Sequence, residues 1–294
     1  MARKDNSDKK MKKNKKEIVG LDAQIAKELD AAIDDLNLFD DDLMSKVFDG
    51  NIEATELLLR IILQRDDITV TYVKGQVDMK NPYPGGRSIR IDIHAIDGNG
   101  VHFDVEVQRN EKGSDARRAR FNAGMMDSRM LRKKQEFKEL KDRYVIFICQ
   151  HDKFGKKKPI YHIDKTVRET GEAYDDGAYT IFVNGLYKGK DEFGKLAHDF
   201  NCKKADDIYY KPLADGVRHF KETEEGREEM CESFEKLADK VADNRAEQSR
   251  INTLVEAIKS LMDSMKLSLD QALNALNIEG KERAIIAKQL QLQK

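Results

Sequence analysis

Residues 90–108 read RIDIHAIDGNGVHFDVEVQ, and this stretch predicts two β-strands joined by a short turn. Side chains alternate between the two faces of a strand, so each half of the stretch has one apolar face and one polar face. The apolar positions are Ile89, Ile91, Ile93 and Ala95 in the first strand and Val101, Phe103, Val105 and Val107 in the second. The polar faces carry Asp92, Asp104 and Glu106. The pattern therefore predicts a hairpin with three carboxylates on one side.

The register of this hairpin follows from the alternation. A three-residue loop that contains glycine, with Asp97 opposite Val101, aligns the two apolar faces. The same register places Asp92 opposite Glu106. Loops of two or four residues would set an apolar face against a polar one unless a bulge intervened. The sequence thus predicts that Asp92 and Glu106 are close cross-strand neighbours.

Two opposed carboxylates destabilise a sheet by up to about 1 kcal/mol. A hard divalent cation such as Mg²⁺ would remove this repulsion, because it prefers oxygen ligands. The alternative is an acidic, half-exposed face that binds nothing. His94 and His102 share the polar face, so a zinc site is a further alternative, although the neighbouring sequence offers no softer ligands at zinc spacing.

The composition of the 294-residue chain, 36% charged and 39% hydrophobic, fits a water-soluble protein with one substantial domain and helical additions. No apolar run approaches the ~18 residues of a transmembrane helix, so we expect no membrane partner. The basic, polar residues 1–17 predict a disordered tail rather than a secretory signal. The three cysteines (Cys149, Cys202 and Cys231) are far apart, which favours the reducing cytoplasm.

The remaining patterns predict a mixed α/β domain. A helix at 51–64, with Asn51 as its N-cap, precedes a strand at 68–77. After the hairpin we expect a basic helical region at 115–142 and strands at 143–149 and 178–184. A strand–helix–strand passage of this kind favours an α/β layer over an all-β barrel.

From residue 215 onward the sequence is charged and helical, without strand patterns. It ends in two short predicted helices around Gly280, the first with Ser268 and Gln271 as a capping box. We therefore divide the chain into the tail at 1–17, an α/β domain at 18–214 and a helical extension at 215–294. Homo-oligomerisation through the extension is a hypothesis, since such helices more often pack than catalyse.

The hairpin resembles the core of the PD-(D/E)XK nuclease superfamily, in the branch of transposase-like and recombination-promoting nucleases. That branch has an Asp, a hairpin and then Glu-x-Gln, where the wider superfamily has Glu-x-Lys. The matching residues are Asp92, Glu106 and Gln108. The similarity extends over roughly residues 38–290, including flanking segments such as 41–63 and 115–164.

The resemblance implies a restriction-endonuclease-like fold, in which helices flank a mixed central sheet. It also implies Mg²⁺-dependent hydrolysis of DNA phosphodiester bonds, with Mn²⁺ as a substitute ion. Asp92 and Glu106 would bind the metal, the carbonyl of Val107 would be a further ligand, and Gln108 would take the catalytic place of the superfamily lysine. The candidates for a third, upstream acid are Glu53, Asp40, Asp41 and Asp42.

Glutamine at position 108 can orient a water by hydrogen bonds, but it adds no positive charge to a transition state. A nearby cation would compensate, and Arg90 is a candidate because the predicted register places it opposite Gln108.

The region between Ala116 and Arg143 is rich in basic residues. Because it follows the acidic hairpin directly, contact with DNA phosphates is favoured over a merely solvated helix face. The predicted DNA-binding residues are Arg117, Arg118, Arg120, Lys133 and Lys134. The sequence therefore predicts a metal-dependent DNA endonuclease related to a mobile element or to recombination. The alternative is a DNA-binding or structural module of the same fold with weak or lost catalysis.

Overall fold

A computed structural model of the chain describes residues 27–278 together with residues 280, 283, 285, 286 and 290. For residues 235–248 it describes the helical backbone but not the side chains. The predicted tail at 1–17 lies outside the described residues, as does most of the predicted helix after Gly280.

The described chain begins with helices, continues through a sheet and returns to helices. The helices are α1 (27–35), α2 (Asp41–Phe48), α3 (Ile52–Leu63), α4 (Ala116–Met130), α5 (Glu192–Asn201), α6 (Lys211–Glu222), α7 (Glu224–Met265) and α8 (Leu269–Ala275). The strands are β1 (Val70–Met79), β2 (Ile89–Asp97), β3 (His102–Gln108), β4 (Arg143–Cys149), β5 (Ile160–Ile163) and β6 (Ala178–Asn184).

The six strands form one mixed sheet in the order β1-β2-β3-β4-β6-β5. Strands β1, β2 and β3 are antiparallel, β3, β4 and β6 are parallel, and β5 is antiparallel to β6. The predicted mixed α/β fold is confirmed, and β4 and β6 have the predicted bounds. Strand β5 was not predicted, because its four residues are half-buried or exposed and have no alternating pattern.

The hairpin has the predicted register. Its ladder runs from Ile96 opposite His102 to Ile93 opposite Val105. The amide of Asp97 donates to the carbonyl of Val101 at 3.1 Å, which closes the three-residue loop. Gly100 ends that loop at φ +80°, a backbone conformation that glycine adopts without steric cost.

Strand β3 is covered on both faces. Asp104, Glu106 and Gln108 share a face with the buried residues of β4, as the parallel β3–β4 register requires. Helix α4 packs on that side through four residues, which are Ala119, Ala123, Met125 and Met126. The apolar residues of β3, Phe103, Val105 and Val107, are buried as well. The polar face of the hairpin is therefore an interior surface at β3, not the half-exposed face that was the alternative.

Helices α2, α3, α5 and α6 pack together, and α2 and α3 also pack against the first strands of the sheet. Phe200 of α5 contacts Phe39 and Phe48, with ring centroids 5.5 and 6.3 Å apart. The predicted N-cap of α3 is confirmed, since Asn51 Oδ1 accepts the amide of Ala54 at 3.0 Å. The capping box of Ser268 and Gln271 is also present, at the start of α8.

The predicted helical region at 115–142 was too long. Helix α4 ends at Met130, and the residues before β4 contain only a short 3-10 turn at Phe137–Glu139. Residues 132–139 are all exposed. A charged segment with no apolar face to bury gains little from helix formation, so the helix ends where its packing ends.

The chain divides into two compact units, the first ending at Met230 and the second starting at Cys231. Helix α6 lies in the first unit, where it contacts α2 and α3. The second unit has an apolar core of its own, which includes Val255, Ile258 and Leu273. Among the described helices, none is both long enough and apolar enough to cross a bilayer.

Candidate active site

Asp92 lies where the β2–β3 ladder ends. Its Oδ2 accepts the amide of Val107 at 3.0 Å. On its other side, the β1–β2 register places Gln76 opposite Asp92, and Gln76 has φ +49°, which is uncommon for a residue other than glycine. The regular pleat is thus interrupted beside Asp92, and Ile91 and Ile93 on either side of it are both fully buried. Asp92 was predicted to lie beside Glu106 of the second strand, and the contact that the structure shows with that strand is the hydrogen bond from the amide of Val107.

Asp104 and Glu106 have no solvent-exposed surface. Helix α4 places Asn122 over them, and its Nδ2 donates to Asp104 Oδ2 at 3.0 Å and to Glu106 Oε1 at 3.1 Å. Asp104 Oδ1 has no hydrogen-bond partner among the described residues. A buried carboxylate oxygen without a donor is costly, and a bound cation or a proton shared with a neighbouring carboxyl would satisfy it.

Arg118 is the cation of this cluster. It forms an ion pair with Glu106, and its Nη1 donates to Gln108 Oε1 at 3.2 Å and to the carbonyl of Gly113 at 3.1 Å. Gln108 Nε2 in turn donates to Glu106 Oε2 at 3.3 Å. A Cβ at position 113 would lie 1.7 Å from Gln108 Oε1, so only glycine leaves room for this arrangement. Gln108 is therefore held in one orientation by its neighbours.

The electrostatics of the cluster favour a cation. Burial is the largest cause that raises the pKa of Asp92, Asp104 and Glu106. Repulsion by neighbouring carboxylates raises it further, from Asp41 for Asp92 and from Asp92 for both Asp104 and Glu106. Arg118 lowers the pKa of each carboxyl but does not outweigh burial. Without a metal ion the carboxyl groups therefore retain protons at pH values where free carboxyls are ionised.

The residues fit a hard divalent cation. The atoms available to bind a metal are carboxylate oxygens, which are the ligands that Mg²⁺ prefers. One of them, Asp104 Oδ1, has no hydrogen-bond partner among the described residues. The zinc alternative gains no support from His94 and His102, whose Nε2 and Nδ1 atoms lie 3.2 Å apart and face each other. Burial lowers the pKa of His94 to about 4 and lowers the pKa of His102 from its usual value, so both rings are neutral near pH 7.

The structure shows which of the candidates for a third acidic ligand lie near Asp92. Asp41 and Asp42 line the same cavity, of about 680 Å³, as Asp92 and Arg118. Asp40 instead pairs with Arg109 at 2.8 Å.

Glu53 does not line this cavity. It lies exposed in the first turn of α3, where its charge acts on Lys211. The structure thus brings Asp42 to the site and not Glu53, and a role for Asp42 as a ligand stays a prediction.

Arg90 does not contact Gln108, so that prediction was wrong. Its guanidinium binds Asp78 of β1, at 2.7 and 3.2 Å. The physical reason is that β2 and β3 stop pairing at Ile93, so their ends diverge. Arg118 takes the place that was predicted for Arg90.

The five predicted DNA-binding residues are not brought together. Arg117 and Arg118 line a cleft beside Asp92, whereas Arg120 lines a different cavity, beside Phe154. Lys133 and Lys134 are exposed in the segment after α4. Contact with DNA stays a prediction for all five.

Sequence reasoning missed Asn122 and gave no role to Asp104. Asn122 lies between Ala119 and Ala123 on the buried side of α4, one turn after Arg118. A polar residue on the apolar side of a helix beside an acidic strand was the signal that could have identified it.

A second group of metal-ligating side chains consists of His198, Asp199 and Cys202, whose ligand atoms all lie within 4.8 Å of one another. The Asp199 carboxylate already has partners, because Oδ1 accepts the amide of Tyr209 and Oδ2 that of Tyr210, both at 2.9 Å. This carboxylate therefore anchors the chain at the start of α6.

One of three comparisons with known proteins identifies the family of the chain. Searches of the curated proteins and of the solved structures each found no match. The family model of the PD-(D/E)XK nuclease family transposases matches residues 49–266, which include the whole sheet and the acidic cluster. Such nucleases generally use divalent metal ions, and the match supports a nuclease-like function related to mobile elements. The chain belongs to the PD-(D/E)XK nuclease family transposases.

Proposed function

We propose that the protein is a Mg²⁺-dependent DNA endonuclease that hydrolyses phosphodiester bonds during recombination or movement of a mobile element. The observation that carries the proposal is the acidic cluster of the half-buried Asp92 and the fully buried Asp104 and Glu106, in which Asp104 Oδ1 has no donor among the described residues. Such a cluster is destabilising in an empty protein and becomes favourable around a divalent cation.

Asp92 and Glu106 would hold the metal, together with the carbonyl of Val107 and either Asp41 or Asp42. The bound cation supplies positive charge to a phosphate and lowers the pKa of a water molecule. Mn²⁺ offers the same coordination chemistry and is expected to substitute.

The chain's own residues complete the site. Gln108 orients the attacking water through its carboxamide, and Arg118 supplies the positive charge that glutamine lacks. Two contacts support this division of roles, the hydrogen bond from Arg118 to Gln108 and the ion pair from Arg118 to Glu106. Asn122 keeps Asp104 and Glu106 in place by donating to both.

Nicking of a supercoiled plasmid tests the proposal. The full-length chain should nick DNA with Mg²⁺ and not with EDTA. The Asp92→Asn and Glu106→Gln variants, which change charge but little volume, should lose about a thousandfold in rate, since metal chemistry contributes several kcal/mol to such reactions.

Two further variants serve as a matched pair. Asp42→Asn should lower the rate if Asp42 is the third ligand, whereas Glu53→Gln should leave it unchanged. Metal-dependent nicking that persists in Asp92→Asn and Glu106→Gln would refute the nuclease assignment. A wild-type chain that binds DNA but never cuts it, with Mg²⁺ or Mn²⁺, would instead support the binding-module alternative.

A further inference from the structure

A cleft of about 640 Å³ lies beside Asp92, between α4 and the segment that leads into β2. Its volume is in the range of pockets that hold small ligands. Its cationic residues are Arg87, Arg90, Lys112, Arg117 and Arg118. One aromatic side chain, Phe121, lines the same cleft.

The positive charges of this cleft differ in how far they are neutralised. Arg118 is paired with Glu106, and Arg90 with Asp78. Arg87, Lys112 and Arg117 are exposed, and none of these three forms an ion pair within the described part of the chain. Three cations without an ion-pair partner among the described residues thus line the cleft, and the carboxylate of Asp115, which also lines it, accepts the backbone amide of Arg117 at 2.7 Å. Charges in this arrangement attract phosphate groups.

Phe121 is the unusual residue of the cleft. It lies one helical turn after Arg117 on α4, so the two side chains are neighbours. Phe121 is 38% exposed, whereas Ala119 and Ala123, two positions away on either side in the same helix, are buried in the core. The chain therefore presents an aromatic ring to solvent among cations.

An aromatic ring beside cations is the arrangement by which proteins bind single-stranded nucleic acids, with bases stacked on the ring and phosphates held by the charges. In a duplex both faces of each base are covered by the neighbouring bases. A side chain can therefore stack only on a base that has left the helix, as at an end, a loop or an unwound segment.

We infer that this cleft binds DNA through unpaired nucleotides, with one base stacked on Phe121 and neighbouring phosphates held by Arg87, Lys112 and Arg117. The inference rests on the proposed function, and it names the substrate class of the same site. The nuclease acts on DNA that is single-stranded where it enters the cleft.

Equilibrium binding of fluorescent oligonucleotides tests the inference, with the full chain in EDTA so that nothing is cut. The probes are one single strand of mixed sequence and the duplex of the same sequence. The single strand should bind more tightly. Phe121→Ala should weaken its binding by about five- to a hundredfold, the loss of one stacked base, and should leave duplex binding unchanged. Phe121→Tyr should retain the wild-type affinity.

The salt dependence of single-strand binding distinguishes base stacking from contacts between cations and phosphates. Phe121→Ala should keep the slope of log K against log salt, whereas Arg117→Ala should reduce it by about one. The control is Phe137→Ala, which removes a ring that is 89% exposed and lies outside the cleft.

Equal or tighter binding of the duplex overturns the inference, as does single-strand affinity that Phe121→Ala leaves unchanged. No measurable binding of either probe at low salt overturns it as well. The result of this binding experiment does not depend on whether the protein nicks a plasmid. Loss of nicking in Asp92→Asn supports the nuclease even if Phe121 has no effect, and stacking on Phe121 is measurable even if nothing is cut.

Discussion

Asp104 and Asp199 are both fully buried aspartates, yet their surroundings are opposite. Both oxygens of Asp199 accept backbone amides, from Tyr209 and Tyr210. Asp104 has one donor, Asn122, and an oxygen without a partner among the described residues, and it lies on the same strand face as Glu106. The first carboxylate stabilises the fold, and the second, when ionised, destabilises it unless a cation is bound.

The difference shows how a buried charge can be interpreted. Backbone amides are neutral donors that the chain at the start of α6 already presents, so Asp199 is stabilised without any ligand. The acidic cluster has several carboxylates and one arginine, so it is complete only with an additional positive charge or with protons. An unsatisfied buried acid therefore indicates function more strongly than burial alone.

The largest effect on stability should come from Asp199. Asp199→Ala leaves the amides of Tyr209 and Tyr210 unpaired, and the free energy of unfolding should fall by about 3 kcal/mol. Urea unfolding measures this change. Asp206→Ala, which removes an exposed ion pair with Arg218, should cost much less because solvent screens such pairs. If the two variants lose similar stability, Asp199 is not the anchor described above.

A slightly smaller effect should follow metal binding at the acidic cluster. Mg²⁺ at a hundredfold excess over its Kd should stabilise the wild-type chain by about 2.7 kcal/mol. Glu106→Gln should lose this gain, because a neutral amide is a poor metal ligand, and Glu53→Gln should keep it. Thermal unfolding with and without Mg²⁺ provides the comparison. Equal gains in the wild type and in Glu106→Gln would place the metal elsewhere.

The smallest effect should be a pH dependence of the metal-free protein. Folding raises the pKa of Asp104 and Glu106, so the folded state binds more protons than the unfolded state above the ordinary carboxyl pKa. The stability contributed by these groups is present at low pH and is lost as the pH rises through their raised pKa values.

Unfolding in EDTA between pH 5 and pH 8 tests that dependence. The double variant Asp104→Asn/Glu106→Gln lacks the two fully buried carboxyls of the cluster and keeps only that of Asp92. It should be more stable than the wild type at pH 8 by about 1 kcal/mol, with a smaller advantage at pH 5. Parallel pH curves for the two proteins would show that the raised pKa values do not affect folding.

Much of the fold could be predicted because the relevant interactions are local. The alternation in residues 90–108 was enough for the register, since a shift by one residue would have turned every apolar side chain outward. The N-caps Asn51 and Ser268 were predictable because a cap requires only its own side chain and the next three residues. The length of the helical region predicted at 115–142 was overestimated, because local helix propensity does not show where the packing of a helix against the sheet ends.

Apart from the hairpin motif, the arrangement of the candidate active site depends on tertiary structure. The sequence by itself determined that Asp92, Glu106 and Gln108 lie near one another, because the period and turn of a hairpin are local properties. Only the tertiary structure decided the other contacts of the site. Asn122 of α4 covers Asp104 and Glu106, and Arg118 rather than Arg90 binds Gln108. Asp42 lies in the cavity, whereas Glu53 does not. These outcomes depend on how distant segments pack and where two strands separate, and no local pattern encodes either.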